Sequence, residues 1–199
     1  MKTFYYKNGN KNQVCFLSAV HSWLEAHPAS SWLNATVRII KVPYKGAKRK
    51  RISIFLFTSP SYFDLEEIIR DMSIPKMIER FDQDSFRGLS LSLPKFSIAH
   101  KTDLLNTLKN MGLTILNKTV PLSGINGHGE IMLKSISHST AITIDEEGTN
   151  MPPRKRERCH LNVSPSANVT LDRPFLFVIY DEEAKVPLFS GKVDEPISY

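Results

Sequence analysis

The sequence predicts an α+β fold in which strands outnumber helices. Two patterns support this prediction: short apolar runs rich in Val, Ile and Phe, and stretches in which apolar and polar residues alternate. Both patterns are typical of β-strands, whereas three shorter stretches have the apolar period of an amphipathic helix. At 199 residues the chain is long enough for one large or two small domains. It contains no repeat, heptad or low-complexity linker.

The first predicted elements are a β-hairpin and two helices. Residues 35–44 and 51–58 are rich in Val, Ile, Phe and Tyr, and a glycine-containing segment separates them, which predicts a hairpin. Ser61 can cap a helix over 62–72, where apolar residues recur at helical spacing and acids occupy the first turn. A second short helix is predicted over 74–81, because its proline lies near the start.

The middle of the chain predicts a strand, a helix and a second strand. Leucines alternate with serines within 89–97, which is the period of a half-buried strand. Thr102 or Asp103 then opens an amphipathic helix over 104–112, and the glycine at its end is a typical helix stop. Residues 130–144 predict one long strand.

The C-terminal part predicts an apolar hairpin. Residues 174–180 and 186–193 are its strands, and the segment DEEAK is the short connection between them. Both strands consist largely of apolar residues, so we expect them to be buried on both faces. The one strongly polar interruption of the chain, 145–173, precedes this hairpin.

The charge of the chain is basic, with 26 Lys and Arg against 20 Asp and Glu and a formal net charge of +6. A basic protein favours glycosaminoglycan, nucleic acid or acidic membrane only where the charges cluster. Two clusters are present, and their basic residues are Lys48, Arg49, Lys50, Arg51, Arg154, Lys155, Arg156 and Arg158. They predict either a heparin-binding surface or two solvated surface runs.

The sequence lacks motifs for catalysis and for cofactors. It contains no Gly-x-Ser-x-Gly elbow, phosphate-binding glycine loop, dinucleotide fingerprint or zinc-protease helix. The six histidines lack the short spacing that puts two metal ligands on one face of an element. We therefore expect no enzyme activity, no cofactor and no metal. Cys15 and Cys159 leave two alternatives open, one disulfide or none.

Four Asn-x-Ser/Thr triplets indicate a secretory origin, and their candidate glycosylation sites are Asn34, Asn117, Asn162 and Asn168. In contrast, the residues after Met1 lack the apolar core of a secretory signal, and no run approaches the ~20 apolar residues that span a bilayer. The triplets favour an extracellular location, and a cytoplasmic one is expected if the chain is complete as written.

Five segments in order resemble the serpin superfamily of serine protease inhibitors: LSLPKFSI, DLLNTLKNMGLT, LSGI, IDEEGT and DRPFLFVIYDEEAKVPLFSGKVDEP. Each alone is a weak match, but five at similar spacing are a strong one. The resemblance covers nearly all of this chain and roughly the C-terminal half of a serpin. It implies a single truncated serpin-like domain over 1–199, with a small barrel-like sheet around the terminal hairpin, three helices, and a remnant of the large central sheet built from 89–97 and 130–144. It also implies an extracellular protein.

The resemblance further implies a reactive loop over 146–168. A serpin presents this loop to a serine protease, is cut, and inserts the first half of the loop as a new strand of its central sheet, which traps the enzyme. The corresponding residues here are the hinge Glu146, Glu147, Gly148 and Thr149, and the scissile region Leu161, Asn162 and Val163. Asn162 is also a glycosylation candidate, and a glycan there would obstruct a protease.

The residues after the hinge predict a loop that does not insert. Serpin hinges continue with small residues, whereas this one continues with Asn150, Met151, Pro152, Pro153 and the basic run 154–158. Proline lacks a ladder donor, and an unpaired charge moved into a core costs several kcal/mol. We therefore expect a serpin-family protein that is not inhibitory. The alternatives are an active inhibitor or a protease substrate acting through the exposed loop, and a polyanion-binding module.

The remnant of the large sheet is expected to have an unpaired edge and an uncovered apolar face. Such surfaces cause aggregation unless something covers them. The expected partners are therefore another copy of the chain or the other half of the fold on a separate chain, in addition to a serine protease and a glycosaminoglycan.

Overall fold

The fold was obtained as a computed structural model. It describes residues 1–28, 37–44, 52–59, 65, 81, 86–113, 120–121, 127, 130–131, 133–145, 148–149 and 167–196. Two compact units are present, one formed by Met1–Phe96 with Ile144–Tyr199 and the other by Ser97–Thr143. The expectation of one domain over 1–199 stays a prediction.

The described residues form fourteen strands and the helix α1. In chain order the elements are β1 Lys2–Tyr5, β2 Lys11–Val14, β3 Phe16–Pro28, β4 Arg38–Pro43, β5 Ile52–Thr58, β6 Phe86–Pro94, β7 Phe96–Asp103, α1 Leu105–Asn110, β8 Val120–Pro121, β9 Glu130–Ile131, β10 Ser137–Asp145, β11 Gly148–Thr149, β12 Ala167–Thr170, β13 Phe175–Asp181 and β14 Val186–Val193.

Seven of the strands form one sheet, in the order β12-β6-β3-β4-β5-β13-β14. Neighbours are antiparallel except for β12, which runs parallel to β6. The predicted hairpin of 35–44 and 51–58 is confirmed as the pair β4–β5, and the terminal hairpin is confirmed as β13–β14. The other sheets have the orders β11-β10-β7, β1-β2 and β8-β9.

One face of the seven-stranded sheet supports a cluster of large apolar side chains. Its members are Val37, Ile39, Phe55, Phe57, Leu65, Phe81, Leu176, Val178 and Tyr180. Leu65 and Phe81 are helical and at most 1% exposed, and both belong to the predicted helices 62–72 and 74–81, which otherwise lie outside the described residues. The ring of Phe55 makes edge contacts with those of Phe81 and Tyr180, at centroid distances of 5.7 and 6.2 Å.

The opposite face of β13 is also buried. The ring of Phe96 lies 5.8 Å from that of Phe175 and 5.5 Å from that of Phe177. Every residue of β13 is buried, as the apolar run predicts. The same prediction is wrong for β14, where Val186, Leu188 and Phe189 are 43–47% exposed, because β14 is an end strand of the sheet order and is paired to β13 alone among the described strands.

Two predicted strands are each divided in the structure. Residues 89–97 do not form one strand of the large sheet, because β6 belongs to the seven-stranded sheet and β7 to the three-stranded one. The chain leaves β6 after Pro94, and the N–H of Lys95 donates to the carbonyl of Cys15 at 2.9 Å. Residues 130–144 are divided into β9 and β10. Between these strands the N–H of Ile136 donates to the side-chain Oδ1 of Asp103, and its carbonyl accepts from the N–H of Leu104, so neither group is in a strand ladder.

The predicted helix 104–112 is observed as α1 with the expected glycine stop. Gly112 has φ +97, its N–H donates to the carbonyl of Lys109, and the N–H of Leu113 donates to that of Leu108, which is the Schellman arrangement. At the other end, Leu104 is the N-cap residue, and Asp103 accepts a bond from the N–H of Leu105. Leu105 is buried, whereas Met111 is 76% exposed, so the predicted apolar face is shorter than expected.

Gly191 provides the first testable prediction. It lies opposite Phe177 in the β13–β14 ladder, and a Cβ atom added to it would be 2.7 Å from two ring carbons of Phe177. Gly191→Ala should therefore lower the free energy of unfolding by about 1–3 kcal/mol in urea denaturation, as overpacking does. Ser190→Ala, at the exposed neighbouring position, is the control and should change stability by less than about 0.5 kcal/mol. A fully stable Gly191→Ala protein would contradict the contact.

Candidate functional site

The described site consists of the two ends of the segment 146–168. At the first end, β11 pairs antiparallel with β10. Ile144 lies opposite Thr149, and Asp145 lies opposite Gly148, in an antiparallel ladder. β11 is an end strand of the three-stranded sheet, so the hinge residues Gly148 and Thr149 are paired to β10 on one side.

The second end of the segment is held in a different sheet. β12 runs parallel to β6, with Ala167 opposite Leu89 and Thr170 opposite Ser92. The N–H of Leu171 donates to the carbonyl of Ser92 at 2.9 Å. Val169 and Leu171 are 4% and 0% exposed. Apolar burial and ladder bonds therefore fix this end of the segment.

Of the predicted site residues, the structure describes Gly148, Thr149 and Asn168. The first two form β11, and Asn168 is an exposed residue of β12. The remaining predicted site residues lie outside the described residues: Lys48, Arg49, Lys50, Arg51, Glu146, Glu147, Arg154, Lys155, Arg156, Arg158, Leu161, Asn162, Val163, Asn34 and Asn117. Both basic clusters are outside the described residues, so the structure does not give the distance between them. Of the two cysteines, Cys15 is free and half-buried in this structure, and Cys159 lies outside the described residues.

The register of β11 against β10 determines which loop residues would lie opposite β10 if the loop continued as a strand. If the ladder continued unchanged, Met151 would lie opposite Ile142, Pro152 opposite Ala141, and Pro153 opposite Thr140. Consecutive residues of a strand direct their N–H groups to opposite sides. One of two adjacent prolines would therefore face β10 without a donor, and the other would face the next strand without a donor. This conclusion does not depend on the register.

In the same register, at least one charge of the basic run 154–158 would not have to be buried. Lys155 would lie opposite His138, on the face of β10 that bears the buried Ile142 and Ile144, but His138 is itself exposed. A lysine there would remain in water. In this register each proline would leave a ladder position without a donor, whereas Lys155 would not be buried.

The side chain of Asp103, the last residue of β7, bonds to α1 and to the residue that precedes β10. Its Oδ1 accepts hydrogen bonds from the N–H groups of Ile136 at 3.0 Å and Leu105 at 2.9 Å. These bonds, with a smaller contribution from the charge of Lys109, lower the pKa of the Asp103 carboxyl below its ordinary value of 3.8. On β7 and β10, the hydroxyl oxygens of Ser97 and Thr143 are 3.0 Å apart. The sequence predicted a capping role for Thr102 or Asp103 but not the bond to Ile136, which is distant in sequence.

Comparison with known proteins identifies the fold. The family model described as serpin (serine protease inhibitor) matches residues 1–196. The chain belongs to the serpin family. The structure of human glycosylated kallistatin has a TM-score of 0.77 and 24% identity to this serpin chain, covering 100% of it and 50% of kallistatin. The predicted serpin-like α+β class of the C-terminal portion is thus confirmed.

Curated relatives show the same partial coverage. Heparin cofactor 2 of Oryctolagus cuniculus is 34% identical over 125 residues, which is 62% of this chain and 26% of that protein. The human plasma serine protease inhibitor is 29% identical over 172 residues, which is 82% of this chain and 39% of that protein. This serpin chain therefore spans less than half the length of these relatives.

In the described part of the chain, no cluster of three His, Cys, Asp or Glu side chains is arranged to hold a metal ion. Within the same residues, no helix has the length and apolar character required to cross a membrane.

The second prediction concerns pH. Because the folded-state pKa of Asp103 is lowered, its contribution to stability is present above the unfolded-state pKa of about 3.9 and is lost as the pH falls through the lower folded value. Urea unfolding measured between about pH 5 and pH 2 should therefore show a smaller loss of stability for Asp103→Asn than for the wild type. Glu183→Gln, which alters an exposed carboxylate, is the matched control. Equal pH profiles for Asp103→Asn and the wild type would contradict this assignment.

Proposed function

We propose that this serpin chain presents residues 146–168 to serine proteases and is cleaved there without trapping the enzyme. The supporting observation is the β10–β11 ladder, which the loop would have to extend. That extension reaches Pro152 three residues beyond Thr149 and Pro153 four residues beyond it. The family description and the name of the human plasma serine protease inhibitor support a protease as the partner.

Insertion of the loop as a strand would need a favourable free energy from new ladder hydrogen bonds. An inserted strand gains about 1 kcal/mol for each hydrogen bond that it forms. Each proline removes one donor, and a strand interior tolerates proline poorly because the opposing carbonyl loses its partner. Two of the first five residues after Gly148 are prolines and cannot donate. The hydrogen bonds of the other residues would therefore contribute little free energy for extending the strand along β10. The loop would therefore be cut and released rather than inserted.

The third prediction tests this proposal with trypsin. The basic run 154–158 offers cleavage sites, so we expect cleavage within it, no enzyme complex that survives SDS electrophoresis, and no rise in the midpoint of thermal unfolding after cleavage. A covalent complex stable in SDS would show that the chain is an active inhibitor, and a raised midpoint of the cleaved wild type would show that the loop inserts. Either result would contradict the proposal.

Two matched variants distinguish the prolines from the charges. Pro152→Ala with Pro153→Ala restores two donors, and cleavage of this variant should raise the unfolding midpoint. Arg154→Ala with Arg156→Ala removes two charges and keeps Lys155 and Arg158 for trypsin, and its midpoint should not change on cleavage. If cleavage raised the midpoint of the arginine variant but not that of the proline variant, the charges rather than the prolines would be what prevents insertion.

A second proposed function is polyanion binding. It is favoured by the formal net charge of +6 and by the name of one relative, heparin cofactor 2. Lys48–Arg51 and Arg154–Arg158 are the basic runs that the sequence offers for it. Retention of the chain on immobilised heparin, with steep salt dependence, is the test.

We also propose that the chain is extracellular and glycosylated at Asn168. Asn168 and Thr170 are exposed on β12, while Val169 between them is buried, so the triplet is accessible on the outer strand of the sheet order. A glycan there would also cover that edge.

The fourth prediction follows from this position. Expressed through a secretory pathway, the wild type should lose mass on treatment with an N-glycanase. Asn168→Gln and Thr170→Ala should each reduce the glycan mass, whereas Thr170→Ser, which preserves the triplet, should not. Unchanged glycan mass in Asn168→Gln would contradict the assignment.

A further inference from the structure

Two contacts determine how β7 and β10 are aligned. The N–H of Leu104, just after β7, donates to the carbonyl of Ile136, just before β10, at 2.9 Å. At the far end of the pair, the hydroxyl oxygens of Ser97 and Thr143 lie 3.0 Å apart. The two contacts are equally far apart on each strand, 97 to 104 and 136 to 143, in opposite chain directions. Since β7 and β10 are neighbours in the sheet order, they form an antiparallel ladder with the same register at both ends.

The type of each contact agrees with this register. In an antiparallel ladder, pairs that exchange hydrogen bonds alternate with pairs that do not, and side chains are closer in the second type. Leu104 and Ile136 are a hydrogen-bonded pair. Counting along the ladder from there makes Ser97 and Thr143 a pair of the second type, in which their hydroxyl groups can meet as observed.

This register places His100 and His138 on one face of the ladder. Thr140 lies opposite His100, and Thr102 lies opposite His138. Directly opposed residues share a face, as do residues two apart in one strand. The four side chains therefore form a square with the two histidines at opposite corners. Such diagonal neighbours are about 7–8 Å apart, which long and aromatic side chains can span.

Both imidazole rings are accessible to a ligand. His100 and His138 are exposed, and neither ring has a hydrogen-bond or ion-pair partner among the described residues. The other two corners, Thr102 and Thr140, are half-buried and uncharged. The exposed Lys101 belongs to the opposite face, because consecutive residues of a strand alternate. The four corners therefore hold no lysine or arginine that would repel a bound cation.

We propose that His100 and His138 form a binding site for a divalent transition-metal ion, with Zn²⁺ as the ion to test. Imidazole nitrogen is a preferred ligand of zinc, copper and nickel, whereas Mg²⁺ and Ca²⁺ prefer oxygen ligands such as carboxylates. The four corner residues include no carboxylate. Water would complete the coordination, and the ion would join β7 to β10 within the unit Ser97–Thr143.

This inference differs from the expectation of no metal. That expectation considered the short spacings that place two ligands on one element. His100 and His138 are distant in sequence and belong to different strands, so only the register between β7 and β10 brings them to one face.

The test is calorimetric titration of the full, reduced chain with zinc chloride. The wild type should bind Zn²⁺, and His100→Ala and His138→Ala should each weaken binding at least about tenfold, since loss of a ligand should cost no less than loss of a partner that orients one. His160→Ala removes a histidine from another part of the sequence and should bind like the wild type. Zn²⁺ should also raise the midpoint of thermal unfolding, and by less in the two alanine variants.

A third imidazole tests the shared face without removing a ligand. Thr102→His places a ring opposite His138 and on the same face, so it should tighten zinc binding. Lys101→His places a ring on the other face at an exposed position and should leave the affinity unchanged. Circular dichroism checks that each variant is folded.

Three results would overturn the proposal. The first is a wild type that does not bind Zn²⁺. The second is unchanged affinity in His100→Ala and His138→Ala, or an equal loss in His160→Ala. The third is tighter binding by Lys101→His than by Thr102→His, because it would place the bound ion on the other face of the ladder.

Discussion

The central constraint on this fold is the burial of β13 on both of its faces. The side chains of one face pack with Phe55 and Phe81, and those of the other face contact Phe96. Its two edges are paired antiparallel to β5 and β14 over nearly its whole length. A strand enclosed in this way permits few substitutions, because any change of volume affects two packed layers. The glycine opposite Phe177 is one consequence, since the ring occupies the space of a side chain.

An ion pair fixes the turn that follows this strand. Nζ of Lys41 lies 2.9 Å from Oε2 of Glu182, and the two side chains are 14% and 15% exposed. A pair this buried is costly to desolvate, and three groups offset the cost: the hydroxyl of Ser53, which donates to Glu182, and the rings of Phe55 and Phe81, each within 6 Å of the ammonium. Sequence inspection identifies DEEAK as a short connection, but it does not show that Glu182 reaches across to β4.

The sequence correctly predicted those elements whose signals lie within a few residues of one another. The hairpins β4–β5 and β13–β14 and the glycine stop of α1 follow from runs and turns within a few residues. The predictions were wrong where a distant contact decides the outcome, as when Lys95 bonds to Cys15 between two sheets, or when β14 ends the sheet order and leaves Leu188 exposed. The position of the hinge came from family resemblance, whereas its register against β10 required the structure.

That register, if the loop continued it, would relate the residues after the hinge to the burial of β10. β10 is buried near the hinge, at Ile142 and Ile144, and exposed near its start, at Ser137 and His138. If a loop extended β11, Met151 would lie opposite the buried Ile142, whereas the two prolines would lie opposite the exposed Ala141 and the half-buried Thr140. Each proline would lack the N–H that a ladder position uses, while a lysine opposite the exposed His138 would stay in water. Along such a strand the missing donors would therefore come before the basic residues.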